Sequence, residues 1–225
     1  MEIQEKEYTL WDKAINLLYP ERCPYCTKVV HQGDLYCKEC ENELTDIEYH
    51  TYARGGYLTI SSFPYTGIFA EGIKRFKFRK GQQYAYQLAR VMADTIVREY
   101  GNREFDMITF VPLHPKNQKE RGYNQSELLA KELSQILSVP LVTTLRKTRY
   151  NKPQHSLKKA SDREKNVKGV YRLAEKNIAK GKQILLIDDI ITTGNTLGEC
   201  ARVLTLGEAQ DVICATFAIA VTKTT

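Results

Sequence analysis

The sequence contains no run of about 18 apolar residues, the length that a membrane-spanning helix requires. Its longest strongly apolar stretch, residues 212–221, is interrupted by Thr216. The first ten residues, MEIQEKEYTL, carry charge where a signal peptide needs an apolar core, so a cytoplasmic protein without membrane insertion is expected. No glycine-rich G-K-[ST] string and no G-x-G-x-x-G occurs, which excludes a Walker A loop and a Rossmann dinucleotide turn. Internal repeats and low-complexity tracts are also missing. With 42% hydrophobic and 27% charged residues, the composition is that of a globular chain and not a disordered one. Its 225 residues suffice for one good domain and a small appendage.

What the sequence does have is unevenly placed. Four of its six cysteines, Cys23, Cys26, Cys37 and Cys40, fall within 18 residues as CPYCTKVVHQGDLYCKEC. Each C-x2-C sets two thiolates on one tight knuckle, and two facing knuckles make a tetrahedral four-sulfur cage suited to structural Zn2+. A reducing compartment keeps such thiols available as ligands. Iron in a similar cage and a CPYC redox pair are the competing readings; the redox pair does not require a second C-x2-C. A closed four-thiolate site offers no open position to a substrate, so a folding role is expected. Cys200 and Cys214 read as small buried residues in a helix and a strand.

Charge is equally local. Residues 146–182 hold thirteen Lys and Arg against three acidic residues, a local charge of +10 in a chain of net +6, so the remainder sums to −4. The chain is therefore not generally basic; it carries one basic, loop-rich segment.

Residues 8–19 place Leu10, Trp11, Ala14, Leu17 and Leu18 on one helical face. After the cysteine block, Gly55 and Gly56 mark a boundary, giving an N-terminal unit over residues 1–54 and a larger domain over 55–225. In the larger domain, strands are expected at 57–65, 107–111, 141–145, 183–187 and 211–221, with helices at 66–80, 83–100, 124–137 and 196–206. Apolar runs alternating with helices indicate an α/β fold with a mostly parallel sheet.

The sharpest string is ILLIDDIITTGNTL, residues 184–197. An aliphatic strand ends in two carboxylates, Asp188 and Asp189, and a hydroxyl-rich turn then opens a helix. Ligands of parallel sheets bind beyond the carboxyl ends of strands. Amides at a helix N-terminus attract phosphate, and Gly194 permits close backbone approach. Two adjacent acids need donors, and ribose hydroxyls would serve. This string resembles the phosphoribosyl pyrophosphate (PRPP) loop of type I phosphoribosyltransferases. The resemblance implies that Asp188 and Asp189 hold the ribose and that Thr192, Thr193, Gly194, Asn195 and Thr196 hold the 5-phosphate.

A second string, FVPLHPKNQKERGYNQ, follows a predicted strand and brings Lys116, Lys119 and Arg121 to its end. Together with Lys147, Arg149, Gln154, Leu157, Arg163, Asn166 and Val167, it is similar to the ComF/ComFC competence family. Members of that family carry an N-terminal four-cysteine ribbon, a basic stretch and a terminal PRPP loop. The resemblance spans residues 15–220. It implies a type I phosphoribosyltransferase-like sheet, PRPP with Mg2+ as ligand, and a role in DNA uptake beside a helicase-like ATPase. Lys116, Arg121 and Arg163 are the candidate pyrophosphate ligands, with Lys77 and Arg79 as further cations; residues 146–182 would form a hood over the site. Two functions follow as expectations. One is phosphoribosyl transfer to an unknown acceptor. The other is a non-catalytic accessory role that binds PRPP or single-stranded DNA.

Overall fold

A computed structural model describes residues 1–44, 49–77, 81–150 and 168–220. Its centre is a five-stranded sheet made of β1 (Tyr49–Ala53), β2 (Tyr57–Pro64), β3 (Met107–Phe110), β6 (Gln183–Ile191) and β7 (Asp211–Ile219). Their spatial order is β1-β2-β7-β6-β3; β1 is antiparallel to β2, and every other pairing is parallel. The expected mostly parallel sheet is therefore present. β4 (Leu145–Lys147) and β5 (Tyr171–Leu173) form a separate antiparallel pair.

The central strands are aliphatic on both faces because both faces are covered. Alternate residues of β6 supply two cores. Leu185 and Ile187 join Ile108, Ile213 and Phe217 beneath α3 (Gly67–Lys77), α4 (Ala85–Tyr100) and α6 (Gln125–Leu137). Ile184 and Leu186 join Met107, Leu145, Tyr171 and Cys200 on the opposite face, covered by α7 (Asn195–Leu206) and the β4–β5 pair. Cys200 and Cys214 are fully buried there, as the sequence suggested.

Several elements differ from the sequence expectation. β6 extends through the acidic pair to Ile191 instead of ending before it. Residues 115–121 form a helix, α5 (Pro115–Arg121), started by Pro115 and stopped by Gly122 at φ 86°. Leu141 makes only an isolated bridge to Ile108, and the strand starts later, at Leu145. α1 (Leu10–Leu18) begins with a reciprocal cap between Thr9 and Asp12 but buries none of its residues. Leu10, Leu17 and Leu18 are exposed.

The cysteine unit sits firmly on the larger domain. Tyr25, at the tip of the first knuckle, packs edge-on against Phe69 with ring centroids 5.6 Å apart and lies against Phe217. Arg75 of α3 donates to the Tyr25 carbonyl. Gln87 of α4 donates to the carbonyls of Arg22 and Asp34, at 3.3 and 3.0 Å.

Candidate functional site

The first knuckle is closed by the Cys23 amide donating to Lys28 O (2.8 Å) and the Thr27 amide donating to Cys23 O (2.9 Å). Cys37 caps the one-turn helix α2 (Lys38–Glu41), which carries Cys40. All four sulfurs lie within 4.8 Å of one another, with Cys26 Sγ and Cys37 Sγ 3.5 Å apart. Tetrahedral zinc with Zn–S bonds of about 2.3 Å needs sulfurs about 3.8 Å apart, so the cage fits that ion. Burial, then hydrogen bonding of the Cys40 thiol to the Cys26 and Cys37 sulfurs, pushes the Cys40 thiol well above its ordinary range. A bound divalent cation reverses that preference by holding thiolates.

The acidic pair occupies the last third of β6. Asp189 is buried, and its Oδ2 lies 2.9 Å from Lys77 Nζ at the end of α3. Asp188 Oδ1 accepts from Ser126 Oγ (2.7 Å) and from the Asp189 amide (2.9 Å). The two carboxylates are thus unequal. Withdrawal from water, followed by the charge of Asp189, pushes the Asp188 carboxyl from 3.8 up to about 7, against the lowering influence of Ser126, the Asp189 amide and Lys77. Near neutral pH the Asp188 carboxyl is about half protonated.

This has a consequence for stability. The native Asp188 carboxyl binds its proton more tightly than an unfolded one. Its contribution to stability is therefore present below about 3.8 and is lost as pH rises through about 7. Asp188→Asn should lose less stability than the parent between about pH 5 and pH 8, as followed by thermal unfolding. Parallel pH curves for the two proteins would remove this assignment.

After β6 the chain turns through exposed Thr192 and Thr193 to Gly194, which has φ 67° and caps α7 without a side chain. Asn195 is buried and Thr196 half-buried at the first turn. The tip of the β1–β2 hairpin leans on this turn, with the Arg54 amide donating to Gly194 O at 3.2 Å. A Cβ on Gly194 would come within 2.9 Å of Ala53 Cα, and one on Gly198 within 2.1 Å of Arg54 O. Close approach of a second backbone thus explains both glycines. Gly198→Ala should displace the hairpin and cost about 1–3 kcal/mol, lowering the melting temperature by several degrees. An unchanged melting temperature would show that the hairpin yields freely.

The RGYNQ string, residues 121–125, works as a latch. Tyr123 donates to Phe76 O, Gln125 Nε2 to Lys77 O (3.3 Å), and Arg121 to Gln125 Oε1 (3.3 Å). Asn124 caps α6 by accepting from the Ser126 amide and closes the loop by donating to Val111 O at 3.1 Å. This latch fixes the end of α3, which in turn presents Lys77 to Asp189. Sequence reasoning had Lys77 only as a loose cation and missed Ser126, because both contacts join residues more than 60 positions apart.

The candidate pyrophosphate ligands are dispersed. Lys116 is exposed, with its Nζ 5.0 Å from the Tyr150 ring, and Arg121 is half-buried. His114 caps α5 by accepting from the Lys116 amide and touches Tyr150 edge-on at 5.4 Å. Arg79 and Arg163, together with Gln154, Leu157, Asn166 and Val167, lie outside the described residues.

Comparison with known proteins assigns the two halves of this arrangement. Residues 124–224 match the phosphoribosyl transferase domain, and residues 14–56 match the double zinc ribbon domain. Competence protein F of Haemophilus influenzae is 31% identical over 195 residues, covering 81% of this chain and 83% of that protein. The chain belongs to the ComF/ComFC family. Within that family, competence protein ComFC of Bacillus subtilis is 31% identical over 193 residues, covering 84% of this chain and 74% of its own. The DNA utilization protein YhgH of Salmonella typhimurium is 31% identical over 194 residues, with coverages of 84% and 80%. Among solved structures, an adenine phosphoribosyltransferase matches 80% of this chain and 88% of its own, at 15% identity and a TM-score of 0.43. No helix of this ComF-family chain, among the described residues, is long and apolar enough to cross a membrane.

Proposed function

We propose that this protein binds PRPP and transfers its 5-phosphoribosyl group to an acceptor, releasing pyrophosphate, as part of DNA handling in the cytoplasm. The observation that carries this reading is the unequal carboxylate pair, one acid on Ser126 and one on Lys77, set immediately before a glycine-opened turn at a helix N-terminus. In this reading Asp188 and Asp189 accept hydrogen bonds from the ribose 2- and 3-hydroxyls. Thr192, Thr193, Thr196 and the first amides of α7, from Asn195 onward, hold the 5-phosphate. Lys116 and Arg121, with Arg163, balance the pyrophosphate charge.

The carboxylates and the phosphate turn grip the sugar at both ends, so its anomeric carbon is held in register with the incoming nucleophile. The bond from that carbon to a pyrophosphate oxygen breaks, and its electron pair leaves with pyrophosphate. A bond to the acceptor forms, and the acceptor loses a proton. Mg2+ fits this oxygen-rich setting; bound with PRPP, it supplies charge neutralisation on the pyrophosphate, with much of its shell water. The four-cysteine unit, within residues 1–54, holds structural zinc and stays outside the chemistry. The larger unit, residues 55–225, carries it, and the β1–β2 hairpin spans the junction between them.

A screen of nucleobases, amines and nucleic-acid ends for PRPP-dependent pyrophosphate release tests transfer directly. Release that rises with one acceptor class supports the reading, and none with any class contradicts it. A second reading, an accessory factor that binds PRPP or single-stranded DNA beside a helicase-like ATPase, draws on Tyr150. This ring is 44% exposed and stands between His114 and the Lys116 ammonium, as a stacking platform flanked by charge would. Binding of single-stranded DNA that weakens steeply with salt supports it, and salt-independent binding opposes it.

A further inference from the structure

Helix α1 stands apart from the site described above, and it is inside out for a helix of a folded domain. Its apolar residues, Leu10, Trp11, Ala14, Ile15, Leu17 and Leu18, occupy one continuous arc, while Asp12, Lys13 and Asn16 share the rest of the circumference. An amphipathic helix ordinarily lays its apolar arc on the core. Here only the polar side is half-buried, at Asp12 and Asn16, with Asn16 Oδ1 accepting from the Glu21 amide at 2.9 Å. Trp11 is 72% exposed, and Leu10, Leu17, Leu18 and the C-cap Tyr19 are exposed further still.

Length and area both show that this face needs a cover. The helix has nine residues. Helices shorter than about 12–15 residues are marginal in water and draw their stability from packing of the apolar face. The reciprocal Thr9–Asp12 cap secures one end but supplies no such packing. At about 150–250 Å² for each aromatic side chain and somewhat less for each leucine, the arc together with Tyr19 offers on the order of 700 Å². The largest apolar patch on a typical monomer is about 300–600 Å². A stable interface takes roughly 800 Å² from each partner.

Charge and composition select the occupant. Helices that lie on membranes carry Lys and Arg beside the apolar face. Residues 1–19 instead hold four acidic residues against two lysines, so an anionic lipid surface would repel this helix. The same charge, and an arc without cations, disfavours nucleic acid. A second copy of the chain meets neither objection. A twofold contact sets the arc against itself, with no charge inside it, and the matched areas approach the size of a stable dimer interface. Trp11 and Tyr19 are the aromatic residues that interface cores favour. We propose that two copies of this protein associate through α1, each burying Leu10, Trp11, Leu17 and Leu18 against the other. The surface is separate from the acidic strand end, and the inference does not rest on the PRPP reading.

Trp11 is the single tryptophan of the chain and reports on the contact directly. Sedimentation of the zinc-loaded full chain between about 1 and 100 µM should show a monomer–dimer equilibrium with a dissociation constant of about 10 µM or tighter. Over the same range Trp11 emission should shift to the blue as dimer forms. Leu17→Glu/Leu18→Glu leaves Trp11 in place and should weaken association by on the order of 100-fold or more, with circular dichroism and zinc content unchanged. A parent that stays monomeric to about 100 µM, with the emission of a solvent-exposed tryptophan, overturns the proposal whether or not the variant folds. A dimer that survives in the double variant, or forms without a change in Trp11 emission, also overturns it by placing the contact elsewhere. A monomer whose Trp11 emission shifts only with vesicles of phosphatidylcholine and phosphatidylglycerol overturns it in favour of a membrane. A monomer that responds only to a different protein overturns it in favour of a heterologous interface.

Discussion

Asp188→Asn combined with Asp189→Asn should keep the fold and weaken PRPP binding by on the order of 100-fold or more. Each carboxylate offers a sugar hydroxyl a charged acceptor, a class of hydrogen bond worth about 1.5–3 kcal/mol. The amides that replace them are similar in shape but present one oxygen each and no charge. The single variants should differ. Asp189→Asn strands the Lys77 ammonium, only 23% exposed, and so costs stability as well as affinity. Asp188→Asn relieves the repulsion within the pair and should stabilise the protein at neutral and alkaline pH. Circular dichroism and thermal unfolding establish the fold, and calorimetry reads the affinity. A double variant that bound PRPP like the parent would take the ribose role away from this pair.

Stripping metal from the four-cysteine cage should be the largest stability loss available. Structural zinc contributes about 10–16 kcal/mol of apparent binding energy in small ribbon peptides. Here the ribbon also roofs part of the main core, since Tyr25 covers Phe69 and Phe217 and Gly72 is shaped to receive its ring. Loss of the ribbon therefore uncovers apolar surface on α3 and β7. A strong chelator, or Cys23→Ser at the fully buried ligand, should lower the melting temperature by on the order of 10 °C or abolish the cooperative transition. Metal analysis of untreated protein should return one zinc per chain. Iron, or a metal-free protein of undiminished stability, would contradict the assignment.

What the sequence made legible follows from range. The cysteine cage is written in two short spacings, and the strand, turn and helix around the acidic pair in one continuous string from Ile184 to Leu197, so both could be read directly. β6 was read too short because two adjacent acids look like the end of a strand. Partners from α3 and α6, distant in sequence, are what let Asp188 and Asp189 stay inside the ladder. α5 has no apolar period, since it packs little of itself; only Pro115 and Gly122 announce it. The amphipathic face of α1 was legible, but its exposure was not, because periodicity reports a face and not what covers it.

The central claim is that the acidic strand end and the turn after it form a PRPP site. Titration of the zinc-loaded, full-length protein with PRPP and Mg2+ tests it most directly. The account predicts saturable binding at one site per chain, competed by ribose 5-phosphate and lost in the Asp188→Asn/Asp189→Asn variant. No binding heat from the unmodified protein at about millimolar PRPP would contradict it.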